Sequence, residues 1–226
     1  KYEKITMGLN NFSASKKKSW LKGKFKFIYD YLDTSEVSGK PILTVSVKEK
    51  VSDCHFRRSP ESAKEVVRGI KRAGIDDAFD QESVQRFLED VFREIDIFGN
   101  DVPMMQNRFV SPLSRIGVDY YKYYLSDTID VDGVKCIELS FSPFTPESFG
   151  FLGRIYVPLN DSTLFIKRVK LNVPKSINLN YVESITIIQD FVKAPDGTRI
   201  KTRDDMTVEF QIMKGTQGLY ARRTTC

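Results

Sequence analysis

Several stretches of this sequence place reactive residue types side by side. Cys54 and His55 set a thiol next to the only histidine of the chain, the residue types of a nucleophile and its base. The surrounding residues alternate as a strand does, and neighbours in a strand project to opposite faces, so the two side chains diverge. A single histidine also excludes a two-histidine metal site, and any serine–histidine–aspartate arrangement would have to use His55. The pairs Asp76-Asp77 and Asp204-Asp205 have the composition of a general acid/base site. One follows a helix-like stretch and the other opens a strand, and nothing in the pattern brings them together. Acidic residues in such places are ordinary turn chemistry. "TIDVDG" resembles a calcium loop, but Thr128 stands where the first ligand must be acidic and Leu139 where the twelfth must be Glu. Asp130, Asp132 and Gly133 therefore read as a hairpin turn. There is no phosphate loop, dinucleotide fingerprint or nucleophile elbow. The expectation is a protein that is not an enzyme, with no catalytic residues, no metal and no cofactor.

Two further stretches suit binding. "NRFVSPLSRIGVDYYKYYLSDT" (residues 107–128) gathers Tyr120, Tyr121, Tyr123 and Tyr124 around Lys122. In a strand, Tyr121 and Tyr123 share one face with Leu125, and Tyr120 and Tyr124 share the other with Lys122. The stretch is either an aromatic platform or the packing of a sheet rim, and sheet packing is the plainer reading because aromatic strands are common. "KKKSWLKGKFKF" interleaves six lysines with Trp20, Leu21, Phe25 and Phe27, which suits an anionic surface or simply a solvated basic loop entering a helix. Trp20, Lys22, Tyr120 and Tyr124 are the candidate aromatic and basic surface residues.

The elements that must position these residues follow from periodicity. The chain has 226 residues, 41% of them hydrophobic, and a net charge of +5. That is enough for one large domain with a core, and the spread of Lys and Arg argues against a nucleic-acid binder. No apolar run approaches the roughly 18 residues of a spanning helix. Three cysteines without metal spacing leave room for one Cys54–Cys136 bridge. In the first third, "YEKITMGLN" reads as a strand, Leu21, Phe25, Ile28 and Leu32 fall at helical spacing, and Leu43, Val45 and Val47 alternate as a strand. Ser59-Pro60 followed by Val66, Val67, Ile70, Ala73 and Gly74 predicts a helix. Val84, Phe87, Leu88, Val91, Phe92 and Ile95 predict a second, with one wide apolar face.

The second half reads as a meander over about residues 118–213. Six strand patterns are linked by Asp132-Gly133, Asn160-Asp161-Ser162 and Asp196-Gly197, and short links make neighbours antiparallel. In the last of them Met206, Val208 and Phe210 alternate with Thr207, Glu209 and Gln211. A wide sheet must bury its apolar face on something, and a helical insertion over about residues 59–98 is the available lid. The predicted fold is α+β: residues 1–226 as a single domain in which a wide curved antiparallel sheet, a half-barrel, covers a few helices. Two units, one small and helical and one a β-sandwich, are the alternative. Phe87, Val91, Ile155, Ile187, Val208 and Phe210 would line a concavity between sheet and helices, or fill a closed core.

Several blocks together resemble a known family: "DTSEVSGKPILTVSVKEKVSD", "GIKRAGIDDAF", "NRFVSPLSRIGVDYYKYYLSDT", "FSPFTPESFGFLGRIYV" and "APDGTRIKTRDDMTVEF". They are similar to the central region of large envelope proteins that carry a domain of unknown function. In that family a signal peptide and a carboxypeptidase-regulatory-like sandwich precede this region, and an outer-membrane β-barrel follows it. The resemblance implies a piece of a longer chain on the periplasmic side of the outer membrane. Its partners would be its own flanking domains and a lipid or lipoprotein, with no nucleic acid. The predicted architecture also resembles the half-barrels of periplasmic lipoprotein carriers, which implies an acyl chain held between sheet and helices. The expected function is a non-enzymatic periplasmic module binding a hydrophobic ligand. The alternative is a structural or interaction module linking sandwich to barrel or contacting an outside partner.

Overall fold

The computed structural model describes residues 1–10, 32–58, 61–74, 86, 88–179, 181–211 and 218–226. Thirteen strands form among them: β1 Tyr2–Asn10, β2 Leu32–Thr34, β3 Pro41–Arg58, β4 Glu61–Gly74, β5 Asp101–Met104, β6 Asn107–Val110, β7 Tyr121–Val131, β8 Val134–Pro143, β9 Leu152–Pro158, β10 Arg168–Asn172, β11 Val182–Lys193, β12 Arg199–Phe210 and β13 Gly218–Thr225. Eleven of them make one antiparallel sheet in the order β2-β3-β1-β13-β12-β11-β10-β9-β8-β7, with β4 also on β3. The two ends do not meet, so the sheet is wide and open. β5 and β6 form a separate hairpin.

The meander from β7 to β12 lies where the periodicity and turn residues place it. Asp132 (φ 51°) and Gly133 (φ 77°) are both left-handed, as a two-residue hairpin turn needs. Asp130 Oδ1 accepts from the Gly133 amide at 2.7 Å, which makes "TIDVDG" a turn and not a cation loop. Asp161 accepts from both the amide and the hydroxyl of Thr163 and pairs with Lys193. Those donors hold its carboxyl down at about 2.

Residues 61–74 correct the helix predicted there: they are strand β4, paired with β3 from Arg58↔Glu61 to Ser46↔Gly74. The apolar spacing of Val66, Val67 and Ile70 fits either structure over so short a run. β-branched side chains favour the strand, and the long β3 offers a partner. Strand β13, also unpredicted, runs between β12 and β1 and ties the two ends of the chain into one sheet. The helix predicted after Asp80 is described only in part: residues 88–91 are helical. The stripe Leu21 to Leu32 lies outside the described residues, save that Leu32 opens β2.

One face of the sheet carries the core. Tyr121, Phe141, Ile155, Val169, Leu171, Ile185, Ile187, Met206, Val208 and Ala221, from β7 to β13, belong to a single buried cluster. What covers them is largely not helical. Val91 and Phe92, Ile95 and Ile97 in the loop that follows, the β5–β6 hairpin through Val102, Met104 and Phe109, and loop residues Phe151, Ile177 and Leu179 pack against them. Bulges at Met7/Gly8, Val51/Ser52, Leu125/Thr128, Val182/Ser184 and Asp190/Phe191 bend the strands. The Gly153 Cα approaches β10 so closely that a Cβ would stand 2.0 Å from the Lys170 carbonyl oxygen. Only glycine fits there.

The opposite face of β12 is not the solvated surface that alternation predicts. Glu209 is fully buried and Thr207 nearly so. The Ser35 and Ser38 hydroxyls donate to the Glu209 carboxylate, so the loop after β2 folds over this part of the sheet.

Candidate functional site

The residues expected to line a concavity are brought together, but in packed surroundings. Val91, Ile155, Ile187 and Val208 are each at most 3% exposed and lie in the core cluster. Phe210 is half-buried against it. Phe87 lies outside the described residues, as do Trp20, Lys22 and the Asp76-Asp77 pair.

The tyrosine stretch divides as strand parity requires. Tyr121 and Tyr123 point into the core and Tyr124 points out, 54% exposed. Tyr120 ends a single helical turn, Gly117–Tyr120, half-buried beside Tyr121. The buried Tyr121 hydroxyl donates to the Val110 carbonyl and accepts from the Phe151 amide at 3.0 Å. Burial raises its pKa well above the ordinary phenol value. Tyr123 donates to the Pro112 carbonyl at 2.7 Å. The pair fastens the hairpin and its flanking loops to the sheet. Outside, Tyr124 is exposed, and so is Phe144, whose ring lies 5.4 Å from the Lys122 ammonium.

Cys54 and His55 sit far from any such constellation. His55 is exposed in strand register with Lys64, and Cys54 opposes Glu65. Cys54 and Cys136 are both free thiols. Among the described residues no three His, Cys, Asp or Glu side chains gather as metal ligands.

Asp204 and Asp205 are both buried, on opposite faces of β12. Asp205 accepts from Arg222 at 2.9 and 2.6 Å, from Arg203 at 2.8 Å and from the Thr224 hydroxyl at 3.2 Å. Burial works to raise this carboxyl, and the bonds from Arg222 and Arg203 outweigh it, leaving it below the ordinary value. Asp204 faces inward, 3.0 Å from Lys201 and 3.8 Å from Arg223. Arg223 donates onward to the Phe92 carbonyl, and Gln189 to that of Ile95 at 3.0 Å. These carboxylates are clamped by cations, which suits positioning of strands rather than proton transfer.

Among the described residues, a space open to a ligand lies at the β10–β11 end of the sheet. A cleft of about 260 Å³ is walled by Val173, Pro174, Ile177, Leu179, Val182 and Ile185, with Lys175, Glu183, Ser184 and Gln211 as its polar members. Backbone bonds shape it: Val173 to Ile185, Ile177 to Pro174, Val182 to Leu179 and Gln211 to Tyr181. Glu183 is ion-paired with Lys40. Ile177, Leu179 and Ile185 are buried from solvent, so the walls combine packed apolar side chains with polar ones, with a charge pair beside them. The sequence shows this segment, "NVPKSINL", only as the fading end of a strand, and the one legible signal was its apolar residues in a Pro-containing link.

Residues 6–222 match a family of unknown function, DUF5686. Among curated proteins none matches the sequence. Two solved structures share distant likeness. One is described as an outer membrane lipoprotein-sorting protein domain from Vibrio parahaemolyticus, with 10% identity over 100% of this chain and 83% of that one and a TM-score of 0.33. The other is a DUF1329 family protein from Desulfovibrio piger, with 16% identity over 98% and 81% and a TM-score of 0.28.

Proposed function

The chain belongs to the DUF5686 family of unknown function, and we propose that it is a non-enzymatic module of the cell envelope, on the periplasmic side of the outer membrane, that holds an apolar chain in the cleft of residues 173–185. The observation that carries this reading is the cleft itself: six apolar walls, three of them buried, beside the Glu183–Lys40 pair. Ligand sites combine such walls with a few polar groups that fix orientation. The volume suits one acyl segment or one apolar side chain of a lipoprotein and is small beside drug-sized pockets of about 300–1,000 Å³. The residues Ile155, Ile187 and Val208 would then support the site from behind rather than touch the ligand.

Native mass spectrometry of the protein expressed in a periplasm, followed by lipid extraction, tests this. The expected result is an acyl species at a fixed ratio. Leu179→Glu puts a charge on the cleft wall and is expected to lower its occupancy at least about tenfold, the order expected for burying an unpaired carboxylate. A clean apo mass from the unaltered protein, or equal loading of the variant, overturns the reading.

A second reading, an interaction module between neighbouring domains or with an outside partner, is favoured by the packed core and by the exposed Tyr124 and Phe144 beside Lys122. Cross-linking to the flanking segments of a longer chain distinguishes the two.

A further inference from the structure

The cleft of residues 173–185 carries two charged side chains on its walls, Lys175 and Glu183. Their situations differ. A β-bulge at Val182/Ser184 leaves Glu183 without a partner in the β11–β12 register, and an extra residue of this kind re-aims its side chain. Glu183 meets Lys40, from the turn between β2 and β3. The Lys40 ammonium donates to both carboxylate oxygens, to Oε2 at 2.6 Å. The charge of Glu183 is thus met before any ligand arrives. Lys175 is exposed and makes no ion pair among the described residues.

Two other carboxylates stand behind or beside these residues, and neither is on the wall. Glu209 is fully buried behind Ser184, with the hydroxyls of Ser35, Ser38 and Ser184 bonded to it. Glu147 follows Pro146, whose carbonyl accepts from the Ser176 hydroxyl, and it faces solvent. Among the wall residues the one unmatched charge is therefore the Lys175 ammonium. Apolar walls with a single unmatched cation at their edge suit an apolar chain that ends in an anion. The chain leaves water for the walls, and the anion stays at the solvent boundary against the ammonium.

We infer that the cleft takes a chain ending in an anionic oxygen group, a carboxylate or a phosphate, with Lys175 as its counter-ion and Lys40 keeping Glu183 from repelling it. This rests on the cleft being a ligand site and narrows the ligand, because an acyl chain bound through an ester or an amide has no such end.

Calorimetric titration of the protein with decanoate, decyl phosphate and decanol at low ionic strength tests this. Lys175→Met should weaken the anionic probes about fivefold, the upper range for an exposed ion pair, and leave decanol unchanged. The difference should shrink in added salt. Lys40→Met should weaken the same probes by a similar factor. Lys40→Met with Glu183→Gln should restore them, because no carboxylate is then left unpaired on the wall. A loss confined to decyl phosphate assigns the site to phosphate-bearing lipids, and one confined to decanoate assigns it to fatty acids. Three results overturn the inference and leave the cleft reading standing: Lys175→Met binding the anions as before, Lys175→Met losing decanol equally, or a double variant no better than Lys40→Met. Failure of the unaltered protein to bind any of the probes overturns both.

Discussion

Tyr121→Phe is expected to lower folding stability by about 2–3 kcal/mol, although it removes one oxygen atom and keeps the ring. The hydroxyl bridges two backbone groups in the core, the Val110 carbonyl and the Phe151 amide, and Tyr121 itself is 1% exposed. Without it the Phe151 amide loses its acceptor where water cannot replace it, at about 1–3 kcal/mol per orphaned group. The Val110 carbonyl adds less, since a carbonyl tolerates partial satisfaction better than an amide. For a chain of this size each kcal/mol shifts Tm by about 2–4 °C, so calorimetry should show a clear drop. Tyr124→Phe, on the outer face, should fall within about 0.5 kcal/mol of the original. Alkaline pH gives a second readout. A phenol whose folded pKa is raised contributes stability that is complete below its unfolded pKa of about 10 and is lost as pH rises beyond it. Stability of the original protein should therefore decline above about pH 10, and less steeply in Tyr121→Phe. A Tyr121→Phe variant as stable as the original would show that the bridge holds nothing.

That experiment also settles what the tyrosine stretch is for. Parity alone places Tyr121 and Tyr123 together on one face, and the structure puts that face inward. What parity cannot show is which loops the hydroxyls reach, because Phe151 lies 30 residues away along the chain. The same limit runs through the molecule. The strands β8, β11 and β12 were legible because alternation and Asp-Gly turns are local signals. β4 was misread as a helix because Val66, Val67, Ile70 and Ala73 satisfy a helical stripe while Ser59-Pro60 imitates its start. Only the partner strand decides between them, and the partner is non-local. β13, "GLYARRTT", carries too few apolar residues to announce itself, and both its neighbours come from distant parts of the chain. The burial of Glu209 was illegible for the same reason: its serine donor Ser35 is 174 residues away. The candidate site was legible only as an apolar concavity. Of its named residues, Val91, Ile155, Ile187 and Val208 are packed in the core, while the cleft of residues 173–185 forms at a Pro-containing loop that periodicity passes over.

The adjacent carboxylates of β12 carry the last prediction. Arg222→Met is expected to cost about 3 kcal/mol, near the lower end of the roughly 3–5 kcal/mol lost when a buried ion pair is broken from one side, because Arg203 and Thr224 remain on Asp205. The double variant Arg222→Met with Asp205→Leu should recover part of that loss, since no charge is then left buried without its partner. Urea unfolding at neutral pH measures both. The acid limb checks the cause. Asp205 has a folded pKa below its unfolded value, so its contribution is present above about pH 4 and is lost as pH falls through the folded pKa. Loss of stability below about pH 4 should be shallower in the double variant, which has no carboxyl there to protonate. The pairing has a structural consequence beyond its energy. Asp204 meets Lys201 and Arg223 on the inner face, and Asp205 meets Arg203 and Arg222 on the outer. A slip of one residue between β12 and β13 would send each carboxylate to the wrong face, away from its cations and, for Asp205, into the apolar core. The two aspartates that look like an acid/base pair in the sequence thus fix the register of the strands that join the two ends of the chain within the sheet. If the double variant is no more stable than Arg222→Met alone, the cost lies in lost packing of the arginine stem and not in the stranded charge.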